Sequence, residues 1–149
     1  MVAFKVAELL TMSLKVGVAG YGLAGRYFHA PLLKGCGFEV ASILTNNEVR
    51  KGHAIEDFPA TKIVHSIEDL VNQDLDLVVV ASANLVHADQ AIAALQAGIP
   101  VVVDKPMGRT FSETKRIIDV STATGVPVST FFNRRWDSDA LTIKKVLAS

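Results

Sequence analysis

Short apolar runs alternate with helix-like patterns through most of this chain. Strands are predicted at 15–19, 38–44, 62–65, 75–81, 99–103 and 126–132. Helices are predicted at 26–33, 48–58, from 66 onward, 86–97, 112–124 and 139–147. The run LDLVVVA at 75–81 is apolar at nearly every position, as expected of a strand covered on both faces. The alternation predicts right-handed βαβ units, and therefore an α/β domain with a doubly wound parallel sheet of about six strands.

Local signals predict where some of the helices begin and end. Ser66 is expected to cap the helix that follows it, with Asp69 at the capping-box position. Ser112 is expected to cap the helix that ends at Gly125. Pro31 should limit the regular part of the first helix, because proline lacks a backbone donor.

A glycine-rich loop follows the first strand directly. Its six residues, all candidates for cofactor binding, are Gly20, Tyr21, Gly22, Leu23, Ala24 and Gly25. They fit the pattern G-x-G-x-x-G, which is weak alone but meaningful between a strand and a helix. Gly20 can make the tight turn, Gly22 can let a pyrophosphate approach, and Gly25 can let the helix pack on the strand. The alternative is a tight turn that binds no ligand.

The end of the second strand bears on the choice of cofactor. An NAD site usually places an acid there, but this strand ends in Leu44-Thr45-Asn46-Asn47, without an acid before Glu48. Thr45 and Asn46 can donate to a 2′-phosphate, and Arg50 is close enough in sequence to supply positive charge. The pattern favours NADP(H), with NAD(H) as the second possibility. Alternatively, Arg50 belongs to a solvated helix face.

Polar clusters follow the fourth, fifth and sixth strands, and all three are expected at one rim of the sheet, where ligands bind. Their candidate residues are Ala81, Ser82, Asn84 and His87, then Asp104, Lys105 and Pro106, then Arg134, Arg135, Trp136 and Asp137. For His87, a structural role at a helix start competes with ligand contact. Asn84 could simply cap a helix. Lys105 is the hardest to explain as a surface residue, because a proline fixes it directly after an apolar strand.

Composition narrows the functional classes. The chain has 149 residues, with 15 Lys+Arg against 15 Asp+Glu. A net charge of zero argues against a nucleic-acid or membrane partner that needs a basic face. The single cysteine excludes an internal disulfide framework and is consistent with a reducing cytoplasm. No metal site is predicted. Residues 1–13 are interpreted as an extension, with Met12 as the natural start, or as a frayed helix.

Three ordered motifs together resemble the Gfo/Idh/MocA oxidoreductase family. They are the glycine loop Gly20–Gly25, the segment Ser82-Ala83-Asn84-x-x-His87, and Asp104-Lys105-Pro106. The resemblance covers the chain from about Leu14 to its end. The segments YGLAG with FHAPL at 28–32, and NRRWDSD at 133–139, are similar to the branch with NADP-dependent scyllo-inositol dehydrogenases. Two departures are Ala83 in place of proline and Asp104 in place of glutamate.

The resemblance implies a Rossmann-type cofactor domain at 14–132 and, at 133–149, the start of a connection to a second α/β domain missing from the chain. It implies hydride transfer between the nicotinamide and a sugar or cyclitol hydroxyl, with Lys105 as the catalytic residue. Asn84 and His87 would line the nicotinamide-ribose end, and residues 134–137 would shape the substrate rim. The missing domain would supply most substrate contacts and a homo-oligomer interface, so this chain should bind nucleotide with little turnover.

Other classes stay open at this point. A nucleotide-binding regulatory or redox-sensing domain needs the glycine loop but not Lys105. A methyltransferase can carry a similar loop, yet it normally has an acid after the second strand. A purely structural interaction module fits worst, because three separate motifs converge on one rim.

Overall fold

The fold is built on one parallel sheet with helices on both faces. The structure, a computed structural model, describes residues 13–148. In this range six strands pair in the order β3-β2-β1-β4-β5-β6. They are β1 (Lys15–Ala19), β2 (Glu39–Leu44), β3 (Lys62–Val64), β4 (Leu77–Val80), β5 (Val101–Asp104) and β6 (Val128–Phe131). This order confirms the predicted doubly wound parallel sheet. The suggested start at Met12 lies outside the described residues.

The helices alternate with the strands as the sequence pattern predicts. They are α1 (Ala30–Gly35), α2 (Glu48–Asp57), α3 (Ile67–Val71), α4 (His87–Gln96), α5 (Phe111–Thr124) and α6 (Ser138–Leu147). Single 3₁₀ turns at Asn84–Val86 and Asn133–Trp136 follow β4 and β6. Most predicted bounds lie within two residues of these, because turns and caps trim the apolar runs at their ends.

The core lies on both faces of the central strands. One large cluster joins β4 and β5 to the alanine face of α4 and to Ile117 of α5. A second cluster joins Val18 of β1 and Ile43 of β2 to Tyr21 and Ala54. β1 lies between β2 and β4 and is almost completely buried. The glycine loop therefore starts from the most enclosed strand of the sheet.

The first helix departs from its predicted course. A π-helical turn at Gly25–His29 precedes α1, and the N–H of Ala30 donates to the carbonyl of Gly25. Pro31 follows at the start of α1, where the missing proline donor is tolerated. The predicted regular helix over 26–33 is therefore divided into a widened turn and a short α-helix that ends later, at Gly35.

One of the two predicted caps is correct and the other is wrong. The Ser66 hydroxyl accepts from the N–H of Asp69, as the capping box predicts. At α5 the cap is Thr110, whose hydroxyl accepts from the N–H of Glu113, so Ser112 lies inside the helix. Both Thr110 and Ser112 have capping side chains, but Thr110 has the extended backbone of an N-cap and a glutamate three residues later.

Candidate functional site

A large cleft crosses the carboxyl ends of β1, β2, β4 and β5. Its volume is about 840 Å³. Most sequence-predicted residues line it: Gly20, Tyr21, Gly22, Leu23, Ala24, Thr45, Asn46, Arg50, Ala81, Ser82, Asn84, Asp104, Lys105 and Pro106. Parallel strands bring their carboxyl ends to the same edge, and the order of this sheet reverses between β1 and β4. The topology thus gathers residues that are more than eighty positions apart.

The three loop glycines have three different environments. Gly20 has a φ of +99°, and a Cβ there would lie 2.6 Å from the Cα of Ser82. A Cβ at Gly25 would lie 2.1 Å from the carbonyl oxygen of Gly20. At Gly22 the nearest group is the Arg50 guanidinium, 3.6 Å from the Cβ position. Gly20 and Gly25 are therefore required by close packing, whereas Gly22 keeps its backbone accessible from the cleft.

The start of α2 supplies the positive charge of this end of the cleft. The Asn47 side chain caps the helix by accepting from the N–H of Arg50. The Arg50 guanidinium makes no ion pair with any residue in 13–148. The neighbouring Lys51 lies 3.6 Å from the carboxylate of Glu48 and is already paired. Arg50 is thus the basic side chain of this turn that remains available to an anion.

The two other predicted phosphate donors are less available. Thr45 is buried, and its hydroxyl oxygen lies 3.4 Å from the N–H of Asn47. The Asn46 amide donates to the carbonyl of His65, and its oxygen lies 3.1 Å from the His65 ring. Asn47, which is not among the predicted cofactor-binding residues, also lines the cleft. Its position directly before a predicted helix is the signal that could have found it.

Lys105 lies at the other end of the cleft, after β5. Its side chain is exposed and forms no ion pair within the described range. Its backbone N–H donates to the carboxylate of Asp104, and the Lys105–Pro106 peptide bond is cis. The Asp104 carboxylate thus holds the backbone N–H of Lys105, while the amine stays free to meet a ligand.

His87 does not reach the cleft, which corrects its predicted position at the nicotinamide end. The imidazole is 1% exposed and lies beneath the cleft floor. Its Nδ1 is 2.9 Å from the carbonyl oxygen of Pro106, and its Nε2 is 3.1 Å from that of Ser82. His87 thus connects the loop after β4 to the loop after β5. Asn84 begins the 3₁₀ turn without capping α4 through its side chain.

Two polar neighbours of the cleft were missed from the sequence. Gln90 of α4 lines the cleft, and its amide oxygen accepts from the Ser82 hydroxyl at 2.6 Å. His29 lies behind Asp104, with its Nε2 3.7 Å from the carboxylate and its ring against that of Phe131. Burial lowers the pKa of His29, and the nearby carboxylate of Asp104 partly opposes that effect. No sequence pattern predicts these two contacts, because each joins side chains on different elements of the fold.

The cluster after β6 lies apart from the cleft, which corrects the expectation of a single rim. Arg135 and Trp136 line a different depression, next to Val102 and β6. Arg134 is paired with Asp137 at 2.7 Å, and the Arg135 guanidinium lies over the Phe132 ring. β6 is the edge strand furthest from β1, so residues that follow it are displaced from the glycine loop.

Comparison with known proteins identifies the fold family. A profile of the oxidoreductase family with an NAD-binding Rossmann fold matches residues 14–132. The chain belongs to the Gfo/Idh/MocA oxidoreductase family.

Within residues 13–148, no group of three side chains could hold a metal ion. In the same range, no helix is long and apolar enough to cross a membrane.

Several known proteins match nearly the whole chain. It is 38% identical over 138 residues to the NADP(+) scyllo-inositol 2-dehydrogenase IolW of Bacillus subtilis, covering 91% of this chain and 38% of that one. The solved structure of YvaA from Bacillus subtilis has a TM-score of 0.85 at 37% identity, covering 92% of this chain and 39% of YvaA. The complex of biliverdin reductase from Synechocystis with biliverdin and NADP+ has a TM-score of 0.83 at 26% identity, covering 91% and 43%. The chain thus spans about two fifths of the length of these relatives.

Proposed function

We propose that residues 14–132 form the NADP(H)-binding domain of an oxidoreductase acting on a sugar or cyclitol hydroxyl. The observation that carries the proposal is the unpaired Arg50 guanidinium beside the open backbone of Gly22. A 2′-phosphate needs a cation and no carboxylate at this place. The first acid after β2, Glu48, is not among the residues that line the cleft. The NADP(+) dependence of the Bacillus relative points the same way.

The residues of the cleft fit a dinucleotide from one end to the other. Backbone N–H groups of the loop 20–25, at the start of a helix, would hold the pyrophosphate with help from the helix dipole. Arg50 would hold the 2′-phosphate as the strongest donor, with Asn47 beside it and the buried Thr45 hydroxyl as a minor donor. Ala81, Ser82 and Asn84 would line the nicotinamide-ribose end.

Lys105 would act on the substrate hydroxyl at that end. The bound dinucleotide supplies the hydride chemistry, which is its own. The Lys105 amine would donate a hydrogen bond to the reacting hydroxyl oxygen and help move its proton. Asp104, Pro106 and His87 would fix the backbone on which this amine is presented. A second domain, at the end of the connection that starts at 133, would enclose the substrate and supply the oligomer interface.

The decisive experiment is a calorimetric titration of the 149-residue chain with NADPH and, separately, with NADH. We expect tighter binding of NADPH. A combined Thr45→Asp and Arg50→Ala variant should lose this preference, and Arg50→Ala alone should weaken NADPH binding about tenfold or more while sparing NADH. Lys51→Ala is the matched control, because Lys51 is paired with Glu48. An unchanged NADPH-to-NADH preference in the combined variant would refute the cofactor assignment.

The catalytic part of the proposal needs a longer protein. We expect this chain alone to show no inositol-dependent NADPH formation above background, because its open cleft neither encloses nor positions a substrate. A fusion of residues 14–148 to the remaining part of the Bacillus relative should be active. Lys105→Met in that fusion should abolish turnover and keep cofactor affinity. Full turnover in the Lys105→Met fusion would refute the catalytic role of Lys105, whereas a fusion that binds NADPH without any turnover would favour a regulatory use of the domain.

A further inference from the structure

One face of α2 runs along the glycine loop. Arg50, Ala54 and Asp57 are spaced at i, i+4 and i+7, so they share this face. Ala54 is fully buried in the same cluster as Tyr21 of the loop. Arg50 lies beside Gly22 at one end of the face, and Asp57 meets Tyr21 at the other end. The loop therefore contacts α2 near both ends of the helix.

Asp57 is the centre of a three-residue cluster. Its carboxylate accepts from the Tyr21 hydroxyl at 2.9 Å and from Arg26 Nε and Nη2 at 2.7 and 3.2 Å. The hydrogen bond from Arg26 holds the pKa of Asp57 below its usual value, so the carboxylate stays charged. Burial raises the pKa of Tyr21, so its hydroxyl stays a donor. Arg26 is thus occupied by Asp57, although it directly follows the loop in sequence.

We propose that Tyr21, Arg26 and Asp57 are positioning residues that hold Arg50 against the glycine loop and thereby set the preference for NADPH over NADH. This inference rests on the proposed function. The pyrophosphate contacts come from the loop backbone, whereas the 2′-phosphate contact comes from a side chain on a different element. A displacement of α2 by about 1 Å is enough to disturb a bidentate guanidinium contact, while the loop keeps its own donors. Loss of the cluster should therefore weaken NADPH selectively.

The test compares dissociation constants for NADPH and NADH across variants of the full chain. Tyr21→Phe keeps the ring and removes the hydroxyl, and it should weaken NADPH binding about fivefold more than NADH binding. Asp57→Asn, which removes the charge that holds Arg26, should lower the NADPH-to-NADH preference at least as much. In an Arg50→Ala background, Tyr21→Phe should change the preference no further, because its effect passes through Arg50.

Asp119→Asn is the control, since it removes the charge of an exposed carboxylate that is paired with Lys115 on α5, away from the cleft. Equal weakening of NADPH and NADH by Tyr21→Phe, or a full effect in the Arg50→Ala background, would overturn the inference and leave only a structural cluster. If Tyr21→Phe shows no cooperative thermal transition, Asp57→Asn decides by the same criteria. If the wild-type chain itself does not prefer NADPH, the proposed function fails first and this inference fails with it.

Discussion

The two ends of the cleft are built differently. At the loop end, the side chains and glycines are fixed by direct contact: Gly25 packs against Gly20, and Tyr21 is bonded to Asp57. At the lysine end, the fixed part is the backbone, held from beneath by His87, while the Lys105 amine remains exposed. The loop end is therefore held by contacts within residues 13–148. At the lysine end, which would perform the chemistry, the backbone is held by hydrogen bonds but the Lys105 amine is exposed.

The largest expected effect lies at the loop end. Gly25→Ala would place a methyl group 2.1 Å from the carbonyl oxygen of Gly20, and a backbone atom cannot move aside as a side chain can. We expect the free energy of unfolding to fall by about 3 kcal/mol, with loss of NADPH binding. Denaturant unfolding and calorimetry measure both effects.

Gly52→Ala is the matched control, because a Cβ at that helical position meets nothing within 4 Å. It should raise the free energy of unfolding by about 0.5–1 kcal/mol, since glycine is the poorer helix former. A Gly25→Ala chain with wild-type stability and affinity would show that the loop end is more tolerant than its geometry indicates.

The next effect concerns the support beneath the lysine end. His87→Ala should lower the free energy of unfolding by about 2 kcal/mol, because the carbonyl oxygen that accepts from the ring N–H loses its buried donor and a cavity remains. His87→Phe restores volume without donors, so it should recover only part of the loss. His65→Ala at the exposed surface is the control. Complete recovery by phenylalanine would mean that packing alone, and no hydrogen bond, joins the two loops.

A smaller effect should appear as a pH dependence near Asp104. Burial lowers the pKa of His29, so the folded chain keeps this ring neutral at a pH where the unfolded chain protonates it. The free energy of unfolding should therefore decrease as the pH falls below about 6.5, the usual value for histidine. The depressed pKa of Asp57, by contrast, contributes above about pH 4 and is lost only below that.

The comparison of His29→Gln with the wild type isolates this contribution. Unfolding curves measured between about pH 7 and pH 5 should be flatter for the variant. Identical slopes of the free energy of unfolding against pH would show that His29 does not contribute to this pH dependence.

The last prediction tests whether the lysine end of the cleft contributes to NADPH binding. Lys105→Met should change the NADPH dissociation constant of this chain by less than about twofold, because the amine is exposed and makes no ion pair within residues 13–148. A tenfold or greater loss, measured by the same calorimetry, would mean that Lys105 belongs to the binding half of the site.

Much of this architecture can be predicted from the sequence, because the relevant signals are local. The six strands come from short apolar runs, and the roles of Gly20, Gly22 and Gly25 come from their spacing between a strand and a helix. The gathering of Arg50 and Lys105 at one edge follows from parallel strands, once the strand order is given. These features depend on period, spacing and topology, which a single sequence contains.

The remaining features depend on contacts that no local pattern contains. Tyr21, Arg26 and Asp57 meet across 31 to 36 positions, and acids and bases at that separation are too common to pair by inspection. The motif predicts His87 in the cleft, but its buried ring faces the carbonyl oxygens of Pro106 and Ser82. The common edge of parallel strand ends predicts the residues after β6 at the same rim. Two strands, β4 and β5, lie between β6 and β1 and separate these residues from the loop.

The position of β1 has a consequence for the order in which the molecule opens. β1 is paired on both sides and almost completely buried, so its amides should exchange with solvent through global unfolding alone. The glycine loop begins where this strand ends, and the Gly20 N–H is bonded to the carbonyl of Leu44 on β2. The nucleotide site is therefore attached to the segment that opens last, and exposed elements such as α6 can fray without disturbing it.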